Sequence, residues 1–214
     1  MKIKYIYKRY FKSKSLYSFV ELGPHDKIIY DIIVGSLLGK TFLEKRLKSI
    51  RIFFYHDSLN LEYLYFLYKE MYKRDYLSDI KPFLVKYINN IQYFNYKSFS
   101  FVTFDYIYKL FYNHNKKKQI PINFDTILSP RIFAIWLMTN GFDFYRSYRT
   151  SNYIIISSSS FSPIDANYLK NSLKIKFNLN IKKIRTDIYF FKYEYKKLYN
   201  IIKPFIIPYI NNKN

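Results

Sequence analysis

The sequence contains no cysteine, and this absence removes three classes of chemistry at once. Without a thiol, the chain cannot form a disulfide, a thiolate zinc site or a cysteine nucleophile. The sequence also has no run of eighteen apolar residues, so no transmembrane helix is predicted and a membrane is not an expected partner. Glycine-rich phosphate loops, nucleophile elbows and spaced histidine ligands are missing as well. We therefore expect no small-molecule substrate, no cofactor and no histidine metal site.

Acidic residues are few compared with basic ones. The 214 residues include 36 Lys and Arg but only 15 Asp and Glu, so the formal net charge is +21. An excess of this size predicts a polyanionic partner, because each phosphate that a basic residue contacts releases counterions. The basic residues are spread along the chain rather than confined to one amphipathic helix, which favours nucleic acid over a membrane surface.

Alanine and glycine are also scarce, with two and four residues, whereas there are 26 Tyr and 21 Phe. The abundant residues (Tyr, Phe, Ile, Asn and Lys) have codons rich in A and T, and alanine and glycine do not. This bias predicts an A/T-rich genome such as that of an organelle, and we expect a mitochondrial location. Half of the residues are hydrophobic, so the chain is expected to fold around a core.

The chain divides into four predicted segments. These are a basic N-terminal arm (1–26), a first half (27–113), a basic linker (114–121) and a second half (122–214). The arm resembles a mitochondrial transit peptide but has little arginine, so we favour an ordered arm. The linker ends at Pro121, and its lysines Lys116, Lys117 and Lys118 are expected to be solvated and able to touch backbone phosphate.

Each half is predicted to run helix, strands, helix, strands, helix. Predicted helices cover residues 31–39, 59–74, 105–113, 129–141, 162–177 and 192–205, and predicted strands cover 45–57, 93–104, 145–160 and 180–191. The closing helices are also similar, since Tyr108-Lys-Leu-Phe-Tyr-Asn113 resembles Tyr195-Lys-Lys-Leu-Tyr-Asn200. A repeat of about 100 residues indicates two similar halves.

Small residues mark the first helix of each half. Gly35 and Gly39 lie four residues apart, on one face of the first helix, and Ala134 is the matching small residue in the second half. Gly141 follows the second of these helices. Small residues at this spacing let another helix backbone come close, so the pattern predicts a seam between two helices. Ordinary core packing is the alternative interpretation.

Two short motifs carry a resemblance to a known family. Ile33-Val-Gly-Ser-Leu-Leu-Gly-Lys-Thr41, followed by Phe-Leu-Glu-Lys-Arg46, resembles the first motif of LAGLIDADG homing endonucleases. Phe133-Ala-Ile-Trp-Leu-Met-Thr-Asn-Gly141, preceded by Leu128-Ser-Pro130, resembles the second, and Lys203 to Ile210 fits the end of the family pattern. The resemblance covers residues 27–210. It implies an α/β (α+β) fold of two pseudo-symmetric αββαββα halves, with the motif helices paired and the strands forming a saddle over the DNA major groove.

The family places one carboxylate at the end of each motif helix, and the two acids share divalent metal ions at the scissile phosphates. The matching positions here are Lys40 and Asn140, so the resemblance implies a catalytically degenerate member. A lysine repels Mg²⁺ and an asparagine offers one neutral oxygen. Glu44 and Asp143 are not placed to replace the lost acids. We therefore predict no catalytic residue, no metal and no cleavage.

Basic residues on the predicted strands form the expected nucleic-acid surface. In the first half they are Lys45, Arg46, Lys48, Arg51 and Lys97, together with Lys40 as a phosphate contact; in the second they are Arg146, Arg149, Lys182, Lys183, Arg185 and Lys192. Interleaved tyrosines, namely Tyr55, Tyr148 and Tyr153, are expected to stack on unpaired bases. A solvated strand face is the alternative for any single residue.

These observations lead to a first functional hypothesis and three alternatives. The first is a non-catalytic protein that binds structured RNA, favoured over DNA, as a component of the mitochondrial ribosome beside other ribosomal proteins. A stable RNA offers many phosphates to a chain of charge +21. The alternatives are a group I intron maturase, an active homing endonuclease that cuts double-stranded DNA, and a DNA-binding regulator.

Overall fold

The computed structural model describes residues 25–58, 61–88, 91–140 and 152–206. Most of the predicted arm, Arg146, Arg149, Tyr148, Asp143, Gly141 and residues 207–210 of the last family-like segment lie outside these ranges. No helix within them is long and apolar enough to cross a membrane.

The first half follows the predicted order of elements. Its elements are α1 (Lys27–Leu37), β1 (Phe42–Lys45), β2 (Ile50–Asp57), α2 (Leu61–Tyr72), β3 (Phe83–Ile88), β4 (Ile91–Lys97) and α3 (Asp105–Phe111). A 3₁₀ turn at Val102–Phe104 leads into α3. This is the αββαββα arrangement that the motifs predict.

The second half repeats most of this order. Its elements are the short α4 (Phe124–Ile127), then α5 (Pro130–Thr139), β5 (Tyr153–Ile156), α6 (Pro163–Phe177), β6 (Ile181–Ile184), β7 (Asp187–Phe191) and α7 (Tyr195–Ile202). A 3₁₀ turn at Lys192–Glu194 leads into α7, as one leads into α3. The part of the second half that the structure describes has one strand before α6, and residues 141–151, where another was predicted, lie outside it.

Both sheets are antiparallel and share one topology. The first sheet has the order β1-β2-β4-β3, and the second has the order β5-β7-β6, which repeats the β2-β4-β3 part of the first. Alternate residues of each central strand enter the core: Ile52 and Phe54 in β2, and Ile188 and Phe190 in β7. The helices therefore cover one face of each sheet and leave the other to solvent.

The motif helices α1 and α5 pack directly against each other, as the small residues predict. A Cβ atom placed on Gly35 would lie 2.7 Å from the Ile135 Cβ atom and 2.8 Å from the Ile132 carbonyl oxygen. One placed on Gly39 would lie 2.3 Å from the Thr139 Cγ2 atom. All three distances are shorter than a Cβ contact allows. The two helices can therefore pack this closely only because Gly35 and Gly39 lack a side chain.

Side-chain caps fix where these helices begin. The Asp26 carboxylate accepts from the Ile28 amide at the start of α1, and the Ser129 hydroxyl accepts from the Ile132 amide at the start of α5. Ser162 caps α6 in the same way, and α5 and α6 both have proline at the first helical position. Caps of this type satisfy amides that have no partner within the helix.

Two parts of the predicted chain path are wrong. Residues 93–104 were expected to be strand, but β4 ends at Lys97 and residues 102–104 form a 3₁₀ turn. Strand β3 and helix α4 were not predicted. Edge strand β3 alternates poorly between the two sheet faces, because its register shifts between Leu84 and Lys86. An irregular edge strand of this kind gives a weak alternation signal.

Candidate nucleic-acid interface at the motif-helix ends

The first motif helix ends two residues before Gly39, and Lys40 lies in the turn that follows. The Lys40 Nζ atom donates to the Asp57 Oδ2 atom at 3.0 Å, and Asp57 is the last residue of β2. The Lys40 side chain is 47% exposed, whereas that of Asp57 is 12% exposed. The lysine after the first motif helix is thus held by a carboxylate of its own half.

Asn140 ends the second motif helix. Its side-chain amide donates to the carbonyl of Trp136 at 3.1 Å, one turn back along α5. The neighbouring Thr139 hydroxyl donates to the Ile135 carbonyl at 2.8 Å, and the Tyr63 hydroxyl from α2 donates to the same carbonyl at 3.0 Å. Burial raises the pKa of Tyr63, so this tyrosine is protonated at neutral pH. These bonds hold the end of α5 on the first half of the chain.

Lys118 was expected to be a solvated linker residue, and this expectation is wrong. Its Nζ atom donates to the carbonyls of Leu37 at 2.9 Å, Gly39 at 2.9 Å and Thr41 at 2.6 Å. The ammonium therefore closes the C-terminal end of α1, where unpaired carbonyls and the helix dipole favour a cation. Burial nevertheless lowers the pKa of Lys118 to about 7.

His56 lies in the core beside the Lys40–Asp57 pair. Its ring meets the Tyr63 ring edge-on, with 5.3 Å between centroids, and its Nε2 atom is buried without a hydrogen-bond partner among the described residues. Burial lowers the pKa of His56 to about 4; the Asp57 carboxylate opposes this and the Lys40 ammonium adds to it. The imidazole is therefore neutral at physiological pH.

The residues at the two helix ends do not fit a divalent metal ion. Mg²⁺ requires several hard oxygen ligands, but Lys40 supplies a cation, and Asn140 offers a single neutral oxygen because its side-chain nitrogen donates to the Trp136 carbonyl. Across the described ranges, no three histidine, cysteine or acidic side chains gather in a way that would hold a metal. No step of a metal-assisted reaction is derived from this arrangement.

Several basic residues of the first sheet are engaged within the protein. Glu44 accepts from Arg46 at 2.8 Å and also pairs with Arg51. Burial raises the pKa of Glu44, but the two arginines outweigh it and the pKa lies below its usual value. Arg46 and Arg51 are thus neutralised in part, which leaves them less free to contact a phosphate than their sequence positions suggest.

Other cations of the first sheet lie over aromatic rings. Lys97 and Arg51 lie 4.9 and 4.8 Å from the Phe53 ring centroid, and Lys45 lies 5.5 Å from that of Tyr108. Lys48 is exposed in the turn between β1 and β2. Tyr55 stacks on Tyr93 with 5.4 Å between centroids, so its ring is already paired across the strands.

The second sheet separates its predicted cations between two faces. Lys182 lies opposite Tyr189 and is exposed, whereas the Lys183 Nζ atom turns back to the Arg185 carbonyl at 2.9 Å. Arg185 occupies the turn between β6 and β7 with a positive φ of 53°, and Lys192 is exposed in the 3₁₀ turn. The rings of Tyr153 and Phe191 lie against each other, with 5.1 Å between their centroids. Lys182 and Lys183 are neighbours in β6 and therefore point to opposite faces of the sheet. Arg146 and Arg149 lie outside the described residues.

With this geometry established, comparison with known proteins identifies the family. The model of the LAGLIDADG DNA endonuclease family matches residues 30–198. The chain belongs to this family. The LAGLIDADG resemblance of the two motifs is therefore confirmed, and so is a mixed fold with antiparallel sheets.

Two fungal relatives of this LAGLIDADG chain are named as maturases. The cytochrome b mRNA maturase bI2 of Saccharomyces cerevisiae is 30% identical over 90% of the chain, and that of Debaryomyces hansenii is 27% identical over 89%. The chain spans about half the length of the first relative (48%) and 74% of the second. The solved homing endonuclease I-WcaI, bound to its DNA recognition sequence, has the same fold with a TM-score of 0.69 and 24% identity. That alignment covers 90% of this chain and 94% of the other.

The prediction of a ribosomal component is wrong. Two relatives are named as mRNA maturases, two others are named as intron-encoded endonucleases, and the structural neighbour is named as a homing endonuclease. None of these proteins is named as a ribosomal protein. A charge of +21 favours any polyanion, so composition alone did not distinguish ribosomal RNA from other nucleic acids.

Two residues at the LAGLIDADG helix ends were missed by sequence reasoning. Asp57 was assigned to a strand without a role, and Lys118 was assigned to solvent, yet each contacts the end of α1. Their partners are 17 and 79 residues away in sequence, so no local pattern connects them.

Proposed function

We propose that this chain is an RNA-binding maturase of the LAGLIDADG family that promotes splicing of a group I intron and does not cut DNA. The observation that carries the proposal is the pair of side chains at the motif-helix ends, Lys40 and Asn140. The family's two carboxylates have a combined charge of −2, whereas Lys40 and Asn140 have a combined charge of +1. This difference removes the ligands for metal ions and favours the binding of a phosphate.

One further observation supports RNA as the partner, and two support any partner rich in phosphates. The relatives at 30% and 27% identity are named as mRNA maturases. The charge of +21 favours a partner with many phosphates. The Asp57 carboxylate neutralises Lys40 in the free protein, and the half-exposed ammonium can exchange this partner for a phosphate. Location in the mitochondrion is part of the proposal and is supported by the A/T-biased composition.

A cleavage assay tests the absence of nuclease activity. Purified protein is incubated with a randomised library of DNA duplexes in Mg²⁺ or Mn²⁺, and I-WcaI with its own recognition sequence serves as the positive control. We expect no site-specific cut from the natural chain. The K40D/N140D double variant, which restores both acids, shows whether these two positions alone account for inactivity. A unique double-strand cut by the natural chain would make it an active homing endonuclease and overturn the proposal.

A further inference from the structure

An open groove lies where the end of α6 meets α7 in the second half. Its volume is about 480 Å³, and its lining residues are Lys176, Phe177, Asn178, Lys197, Asn200 and Ile201. Helix α6 packs on α4 and on β6, and α7 packs on α5. The groove therefore belongs to the helical layer of the second half and is distinct from the exposed face of its sheet.

The lining of this groove matches a phosphodiester backbone. Four of the six residues offer ammonium or amide donors, none is acidic, and Phe177 and Ile201 supply apolar surface between them. The Lys197 ammonium donates to the Asn178 carbonyl, which fixes its position and leaves two N–H groups for another acceptor. Lysine and asparagine are among the side chains that donate hydrogen bonds to phosphate and sugar oxygens.

Donors continue from the groove along the outward face of α6. Asn167, Asn171 and Lys174 follow one another at helical spacing, and all three are exposed. The opposite face of the helix, with Leu169 and Leu173, is buried in the core. Three exposed hydrophobic side chains lie beside these donors: Ile164, Tyr168 and Ile175. The donors therefore form a short polar line, bordered by hydrophobic side chains, that leads towards the groove.

Charge is concentrated in this part of the chain. Residues 166–206 contain ten basic and two acidic side chains, whereas residues 25–88 contain eleven basic and eight acidic ones. One of the two acids, Glu194, is buried and accepts hydrogen bonds from the backbone and side chain of Asn180 at 3.1 and 2.8 Å. Seven of the ten cations lie in or next to α6 and α7, so these two helices have a larger positive excess per residue than residues 25–88.

We propose that the α6–α7 groove and the outward face of α6 bind the phosphate backbone of RNA. This inference rests on the proposed maturase function and names the surface that carries it. The asparagine amides contact 2′-hydroxyl and phosphate oxygens, and the lysines neutralise phosphates. RNA bound here leaves the exposed strand faces free.

The test compares two charge-matched variants. K176Q/K197Q removes two cations of the groove, and K69Q/K81Q removes two exposed lysines from α2 and from the segment between α2 and β3 in the first half. Affinity for a group I intron RNA and for a DNA duplex of equal length is measured by filter binding at several salt concentrations. We expect K176Q/K197Q to weaken RNA binding about tenfold and to reduce the salt slope by about 1.5, because two phosphate contacts are lost. The K69Q/K81Q variant should bind RNA like the natural chain.

The outcomes separate this inference from the function on which it rests. If the natural chain binds the intron RNA and both double variants bind it equally well, the groove is not the RNA surface. Equal loss in both variants also overturns the inference, because net charge alone then explains binding. If K176Q/K197Q weakens DNA binding as much as RNA binding, the surface is not specific for RNA and the proposal fails. If the natural chain binds the intron RNA no better than the duplex, the maturase function itself is wrong.

Two controls keep the result interpretable. Thermal unfolding of each variant checks that its fold is retained. K176Q alone leaves the Lys197 contact with Asn178 intact, and it should show about half of the effect on the salt slope. An effect seen only when Lys197 is replaced, together with a lower unfolding temperature, would assign the loss to the fold and contradict the groove as a binding surface.

Discussion

At the scale of single residues, the end of α1 is organised by two lysines with different partners. Both lysines follow a helix in the sequence. The Lys40 ammonium donates to a carboxylate, whereas the Lys118 ammonium donates to three carbonyls. The position of Lys40 just after the motif helix was predicted, because the motif is local. The partners of both lysines were not predicted, because contacts between distant segments depend on the completed fold and leave no mark on neighbouring residues.

Replacement of Lys118 by methionine should destabilise the protein. The K118M side chain fills similar space but leaves the carbonyls of Leu37, Gly39 and Thr41 without a donor. Loss of charge-assisted hydrogen bonds in a buried setting should lower the free energy of unfolding by about 3 kcal/mol. Urea unfolding followed by circular dichroism measures this. The control is K117M, an exposed neighbour, and an equal loss in both variants would contradict the role of Lys118.

The contribution of Lys118 to stability should depend on pH. Folding lowers the pKa of this amine from 10.5 to about 7, so between these values the unfolded chain binds more protons than the folded chain. The free energy of unfolding of the natural chain minus that of K118M should therefore rise from pH 7 towards pH 10 and be flat below pH 7. A difference that falls over this window would mean that the three carbonyls hold the proton more strongly than burial removes it.

At the scale of elements, the helices of the seam were predicted better than the strands. Ser129 and Pro130 mark the start of α5, and Gly35 and Gly39 mark the close face of α1, because each reports a local backbone requirement. Edge strand β3 carries no such requirement and was missed. The ionic partners of the basic strand residues were missed as well, since the Arg46 and Arg51 contacts with Glu44 depend on how β1 pairs with β2.

Replacement of Gly35 by alanine should open the α1–α5 seam. The added methyl group would lie 2.8 Å from the Ile132 carbonyl oxygen, and a backbone atom has little freedom to move aside. Overpacking of this kind should cost about 2 to 3 kcal/mol in the free energy of unfolding. Chemical denaturation measures the loss. N171A, on the exposed face of α6, is the control and should be nearly neutral; a neutral G35A would show that the helices are not in contact there.

Replacement of Ser129 by alanine should cost more than loss of an ordinary helix cap. The Ser129 hydroxyl accepts from the Ile132 amide at 3.1 Å and donates to the Asp31 Oδ2 atom of α1 at 3.0 Å. Asp31 is 2% exposed, so S129A removes one of the partners of a buried carboxylate. We expect a loss of about 2 to 3 kcal/mol, against about 1 kcal/mol for S162A, which caps α6 at an exposed position. Equal losses in the two variants would mean that the bond to Asp31 contributes nothing.

At the scale of the whole molecule, two halves with one topology carry different amounts of charge. The repeat of elements was visible in the sequence, because helix caps and strand alternation recur in both halves. The uneven surface was not visible in the same way, since a count of basic residues does not show that first-half cations pair with acids or lie over rings while those of α6 and α7 face outward. Composition therefore predicted a nucleic-acid partner, but the assignment of the protein to the ribosome was wrong.

Splicing of a group I intron RNA is the measurement that tests the maturase proposal most directly. Precursor RNA is incubated with and without the purified chain at a Mg²⁺ concentration too low for efficient self-splicing, and ligated exons are quantified over time. The account predicts that the chain raises the splicing rate for a particular intron and that an unrelated protein of equal positive charge does not. Binding of the same precursor without any gain in ligated exons, or an equal gain with the unrelated basic protein, would contradict it.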